Sequence, residues 1–160
     1  GHAKNIELFE KHNIFTKAEV ESRVEILLEN YSTTISIEAA TMLDMFHKDI
    51  LPAVTAYTGD LTKAVLDKKA AGVSAGFEGA LADKLSKLGG EMYESSLKLE
   101  DGLKEAAEIG DSEKQALYYH DTVLEEMGKL RSAVDAAEAW TGGKYLDYPT
   151  YGELLFGVNE

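Results

Sequence analysis

Residues 16–52 read TKAEVESRVEILLENYSTTISIEAATMLDMFHKDILP, and this stretch decides the fold. Thr16 and Glu19 stand three apart, the spacing of a capping box, in which a threonine hydroxyl takes an orphan amide and a glutamate reaches back to the cap. A helix therefore starts at Thr16. Val20, Val24, Leu27, Tyr31, Ile35, Ala39, Met42, Phe46 and Ile50 follow at steps of three and four, which is one apolar stripe of an α-helix. No glycine occurs from Thr16 to Thr58, so nothing in the stretch suggests short strands joined by turns. Pro52 lacks an amide hydrogen and is expected to kink or end the helix just before it.

Working outward, the pattern resumes through Tyr57, Leu61, Val65 and Leu66 to about Ala71, with Gly59 as a weak point. Gly72 to Gly79 reads as a loop. Leu81, Leu85, Leu88, Met92, Leu99, Leu103 and Ala106 then keep a seven-residue repeat, with Ser95 and Ser96 where one apolar residue is due. Gly89-Gly90 lies inside that helix and weakens it by roughly 1 kcal/mol per glycine relative to alanine. Gly110-Asp111-Ser112 stops one helix and starts the next, with Ser112 and Gln115 in capping-box spacing. Leu117, Val123, Met127, Leu130, Val134 and Ala137 mark the last long helix, which ends near Thr141-Gly142-Gly143. Acid-to-lysine pairs four apart recur at Asp44/Lys48, Asp83/Lys87, Glu94/Lys98, Glu100/Lys104 and Glu125/Lys129, the order that supports a helix. The expected fold is all-α: an antiparallel bundle of three to four long helices, the first interrupted near Pro52, with an aromatic C-terminal tail.

Composition narrows the function. The chain of 160 residues carries a formal net charge of −13, which repels phosphate backbones and anionic lipid, so neither nucleic acid nor membrane is expected as a partner. It has no cysteine, which removes disulfides, zinc ribbons and thiol nucleophiles together. No apolar run approaches the roughly 18 residues of a membrane span, and a cytoplasmic protein is expected. Gly1-His2 reads as a cloning scar, and residues 3–160 as a single helical domain cut from a longer protein.

Searches for chemistry return little. A di-iron bundle needs a Glu-x-x-His motif on each of two helices, and the nearest approach is Asp44-x-x-His47. His47 reads as structural or solvated, His120 beside Asp121 as a packing residue, and His12 as a cation suited to a helix C-terminus. A bundle metalloenzyme would have to use His47 and His120 as ligands. Gly72, Gly76 and Gly79 lack the Gly-Lys-Ser/Thr of a phosphate loop. Ser95 and Ser96 have no histidine partner in pattern. No catalytic, cofactor-binding or metal-binding residue is assigned.

The tail is different. Trp140, Tyr145, Tyr148, Tyr151 and Phe156 put five of the fourteen aromatic residues into the stretch 140–156. Together with Pro149, Leu154 and Leu155 they form a candidate docking segment. It can cap the bundle's own core or pack on another domain or subunit, and Pro149 to Phe156 is expected to dock and help orient the bundle in an assembly.

Leu8-Phe9-Glu10-Lys11-His12, Thr16, Glu21-Ser22-Arg23, Glu29-Asn30-Tyr31, Ile35-Ser36-Ile37-Glu38-Ala39 and Ile50-Leu51-Pro52-Ala53 resemble the C-terminal helical region of type III glutamine synthetases. Met127, Leu130-Arg131, Asp135 and the ending Pro149-Thr150-Tyr151-Gly152-Glu153-Leu154-Leu155-Phe156 resemble the last helix and terminus of the same region. The resemblance implies a large bacterial enzyme that joins ammonia to glutamate with ATP and a divalent metal, magnesium or manganese, and assembles as a homo-oligomer, a dodecamer of two stacked hexameric rings. It places the ATP, glutamate and metal ligands upstream, in a catalytic region of the same polypeptide. By that reading this chain carries no cofactor and serves assembly or regulation. The alternative is a free-standing helical protein–protein interaction module without enzymatic role.

Overall fold

The computed structural model describes residues 3–146 and residues 154, 155 and 157. Among them the regular elements are all helical: α1 (Ala3–Lys11), α2 (Lys17–Met45), α3 (Leu51–Ala70), α4 (Gly76–Ala107), α5 (Ser112–Tyr118) and α6 (Leu124–Glu138). A π turn, Phe46–Ile50, fuses α2 to α3, and a second, Tyr119–Val123, fuses α5 to α6. The bundle therefore consists of three rods, residues 17–70, 76–107 and 112–138, with the short α1 folded against the start of the first.

Each rod begins and ends for a local reason. At Thr16 the capping box is complete: the Thr16 Oγ1 accepts the Glu19 amide at 3.3 Å, and Glu19 Oε2 accepts the Thr16 amide at 2.7 Å. The interruption near Pro52 is the π turn, in which the Leu51 amide bonds the Phe46 carbonyl five residues back. A wider turn ahead of Pro52 accommodates a ring that cannot donate to the carbonyl four residues earlier, and the helix runs on through it. α3 stops at a Schellman turn, with Gly72 at φ 73°, its amide on Lys69 and that of Val73 on Lys68. α1 stops the same way around Asn13, at φ 51°. The glycine stretch is shorter as a loop than its composition suggests, because Gly76 and Gly79 already belong to the first turn of α4. α5 is capped by Asp111, whose carboxylate accepts the Lys114 amide at 2.9 Å, and not by Ser112. Gln115 instead donates its side-chain amide to the Ala106 carbonyl at 3.0 Å, tying the end of α4 to α5.

The core runs along the middle rod. Leu85, Met92 and Leu99 of α4 have no exposed surface, and Phe46, Val123 and Leu130 close over them from the other two rods. Ser96 holds the place in the repeat where an apolar residue is due: it is fully buried, and its hydroxyl donates to the Tyr93 carbonyl at 2.8 Å, so no polar atom of it goes unpaired. Gly102 is buried opposite Val123, where an added Cβ would stand 3.9 Å from the valine methyl. Three residues of the expected stripes do not reach the core. Leu27, Leu66 and Leu117 are exposed, because a face of a helix is covered only where a neighbour lies at the same height. Of the expected acid–lysine pairs, Asp44–Lys48 forms at 2.6 Å and Glu125–Lys129 at 2.7 Å, whereas Lys104 turns to Asp101 at 2.9 Å instead of Glu100.

Candidate functional site

Where α6 ends, the chain is pinned to the far half of the first rod. The Thr141 hydroxyl folds back on the Ala137 carbonyl at 2.8 Å, and a 3-10 turn, Gly143–Tyr145, swings the next aromatic ring across. Tyr145 lies against Tyr57 of α3 with ring centroids 4.9 Å apart, and its hydroxyl donates to Asp60 at 2.5 Å. Trp140, half exposed, carries the Lys84 ammonium 3.5 Å above its ring. So two of the aromatic docking candidates, Trp140 and Tyr145, touch the bundle itself. Leu154 and Leu155 form a helical turn with both side chains exposed. Tyr148, Pro149, Tyr151 and Phe156 lie outside the described residues.

Two of the histidines meet an acidic side chain. His47 Nε2 lies 3.6 Å from Glu100 of α4, and His120 Nδ1 is bonded to its neighbour Asp121 at 2.7 Å. His12 sits in the turn after α1. Magnesium and manganese ask for several converging oxygens, and among the described residues no three of His, Asp and Glu converge to hold an ion.

The feature that sequence reading missed is a groove of about 640 Å³ between α2 and α6. Phe46, Ile50 and Leu130 form its floor, and Ile37, Met45 and Val134 its walls. Glu38, Arg131 and Glu138 stand at its rim. Ile37 is 61% exposed and Met45 51%, high values for large apolar side chains that share one surface. The signal in the sequence is the off-stripe apolar pair itself. Ile37 and Met45 fall two helical turns apart on a face the core stripe does not need.

Comparison with known proteins matches residues 1–69 to the glutamine synthetase C-terminal domain. The chain thus resembles a C-terminal domain of glutamine synthetases. The domain is 43% identical over 157 residues to a glutamine synthetase of Butyrivibrio fibrisolvens, covering 97% of this chain and 22% of that protein. It is 26% identical over 159 residues to the type-3 glutamine synthetase of Dictyostelium discoideum, covering 96% of this chain and again 22% of the relative. The domain thus spans about a fifth of the length of the curated relatives it matches. No solved structure matches it. Among the described residues no helix is long and apolar enough to cross a membrane.

Proposed function

We propose that this domain is the non-catalytic assembly or regulatory module of a bacterial, cytoplasmic type III glutamine synthetase. The whole enzyme makes glutamine from glutamate, ammonia and ATP, with magnesium or manganese, and works as a homo-oligomer of dodecamer size. The observation that supports this reading is coverage: identity to a glutamine synthetase runs along 97% of this chain while occupying 22% of the relative. A region that is one part in about five of an enzyme fits a supporting role. Its partner is then the catalytic region of the same polypeptide. The segment Trp140 to Phe156 is the proposed link between bundle and assembly, a reading supported by the contact of Tyr145 with Tyr57 and Asp60 of α3.

The test is a full-length enzyme lacking residues 3–160, compared with its parent by light scattering and glutamine formation. Loss of the full-size assembly, or altered control of activity with the assembly intact, supports the proposal. An enzyme unchanged in size, turnover and control overturns it. The 160-residue chain alone is expected to form no glutamine.

A further inference from the structure

The groove between α2 and α6 is an apolar surface that the three rods leave open, and it has the form of a missing helix position. α2 and α6 make its two walls while α4 packs behind them, so one more helix laid between the walls completes a four-helix arrangement. From Ile37 to Ile50 the groove runs along thirteen residues of helix, about 20 Å at 1.5 Å per residue, enough for three to four turns of an incoming helix. Its walls include Met42, Met45 and Met127, whose unbranched side chains reshape readily around a guest.

Two observations indicate which chain supplies that helix. The relatives are about five times longer than this domain, so most of the polypeptide lies outside it. The α2 wall, with Ile37, Met42, Met45, Phe46 and Ile50, falls inside residues 1–69, the half that matches the family's C-terminal domain. A wall formed within the segment that matches the family's C-terminal domain suits an occupant from the same polypeptide. From these features we infer that the α2–α6 groove is a helix-docking site for the part of the glutamine synthetase polypeptide outside this chain, a guest helix with an apolar stripe. The inference rests on the reading of this chain as a glutamine synthetase domain and adds the face through which it docks.

Because the chain has no cysteine, the groove can be probed at single positions. Ile37→Cys and Met45→Cys report from the walls, and Leu66→Cys, exposed at 64% and off the groove, serves as control. Each is introduced into the 160-residue chain and into the full-length enzyme, and maleimide labelling is followed by mass spectrometry of the peptide carrying that residue. In the full-length enzyme both groove positions should label about tenfold or more slowly than in the isolated chain, with Leu66→Cys equal in the two. A benzophenone amino acid at position 45 of the full-length enzyme should cross-link to a peptide upstream of this domain. Equal labelling of the groove positions in both proteins overturns the inference, as does cross-linking to residues 147–160 or to the bundle of a second copy. If labelling is equal while deletion of the domain still changes the enzyme's size or control, the groove assignment falls and the assembly role stands. If deletion changes nothing, the assembly role falls on its own test.

Discussion

Tyr145 and Asp60, eighty-five residues apart in sequence, are joined by a hydrogen bond of 2.5 Å from phenol to carboxylate. The bond closes the path from the end of α6 back to α3, and the ring of Tyr57 shares the contact. Tyr145→Phe keeps the ring and loses the bond, so it should lower stability by about 0.5–1.5 kcal/mol in denaturant unfolding. Tyr145→Ala should lose more, because the face of Tyr57 is then uncovered. Truncation after Gly143 should match or exceed Tyr145→Ala in the isolated chain. If truncation leaves the midpoint unchanged, the anchor contributes nothing to the bundle.

Gly89 and Gly90 sit within α4 with open space where a Cβ would stand. Alanine at either position should raise stability by about 0.5–1 kcal/mol through helix propensity and a less flexible unfolded chain. Gly102→Ala meets the Val123 methyl at an ordinary contact distance and should be neutral or mildly stabilising. Thermal unfolding of the three single variants checks this, and a large loss at any of them contradicts the open space.

Two carboxylates carry the acid limb of stability. Glu19 is held below the usual carboxylate range, first by the Thr16 amide and then by the Thr16 hydroxyl, and Glu78 is held low by its bond to the Lys68 ammonium across the α3–α4 turn. Each has a folded pKa below its unfolded one, so each contributes stability that is present above about pH 4.5 and lost as pH falls through the folded value. Stability measured downward from neutral pH should fall less steeply in Glu19→Gln and Glu78→Gln than in the parent. Thr16→Ala, which removes the cap hydroxyl, should cost about 1 kcal/mol at neutral pH.

Tyr118 gives an opposite limb. Its hydroxyl donates to Glu105 at 2.6 Å, and that bond, with burial and the carboxylate's charge, pushes the phenol up to about 12. The folded value lies above the unfolded one near 10, so its contribution is complete below about pH 10 and lost as pH rises toward 12. Phenolate absorbance should show a late-titrating component that is lost in Tyr118→Phe. A titration curve identical in the two proteins contradicts the bond.

What the amino-acid order revealed depended on how local the physics was. The Thr16 cap and the seven-residue repeat of α4 are written in neighbouring residues and appear as read, whereas the loop read from Gly72 to Gly79 already gives way to α4 at Gly76. Leu27, Leu66 and Leu117 obey the same periodicity but stay in water, because periodicity marks a face and says nothing of what lies opposite. The cap at α5 shifted by one residue because Asp111 and Ser112 can both accept an amide, and only backbone geometry chooses between them. The groove exists only once α2 and α6 are set side by side, so no window of sequence contains it.

The π turns make the rods unusually tolerant of shortening at two places. Each holds one residue more than the α turn it replaces, which is about 100° of helical rotation absorbed on the spot. Removing one residue elsewhere in the first rod would swing every later side chain out of phase with α4. Removing the exposed Lys48, within Phe46–Ile50, would instead convert the wide turn to an ordinary one and leave the faces before and after it aligned. The same holds for the exposed His120 within Tyr119–Val123. Length variation in these helices is therefore cheapest at residues 46–50 and 119–123, where a spare residue is already stored.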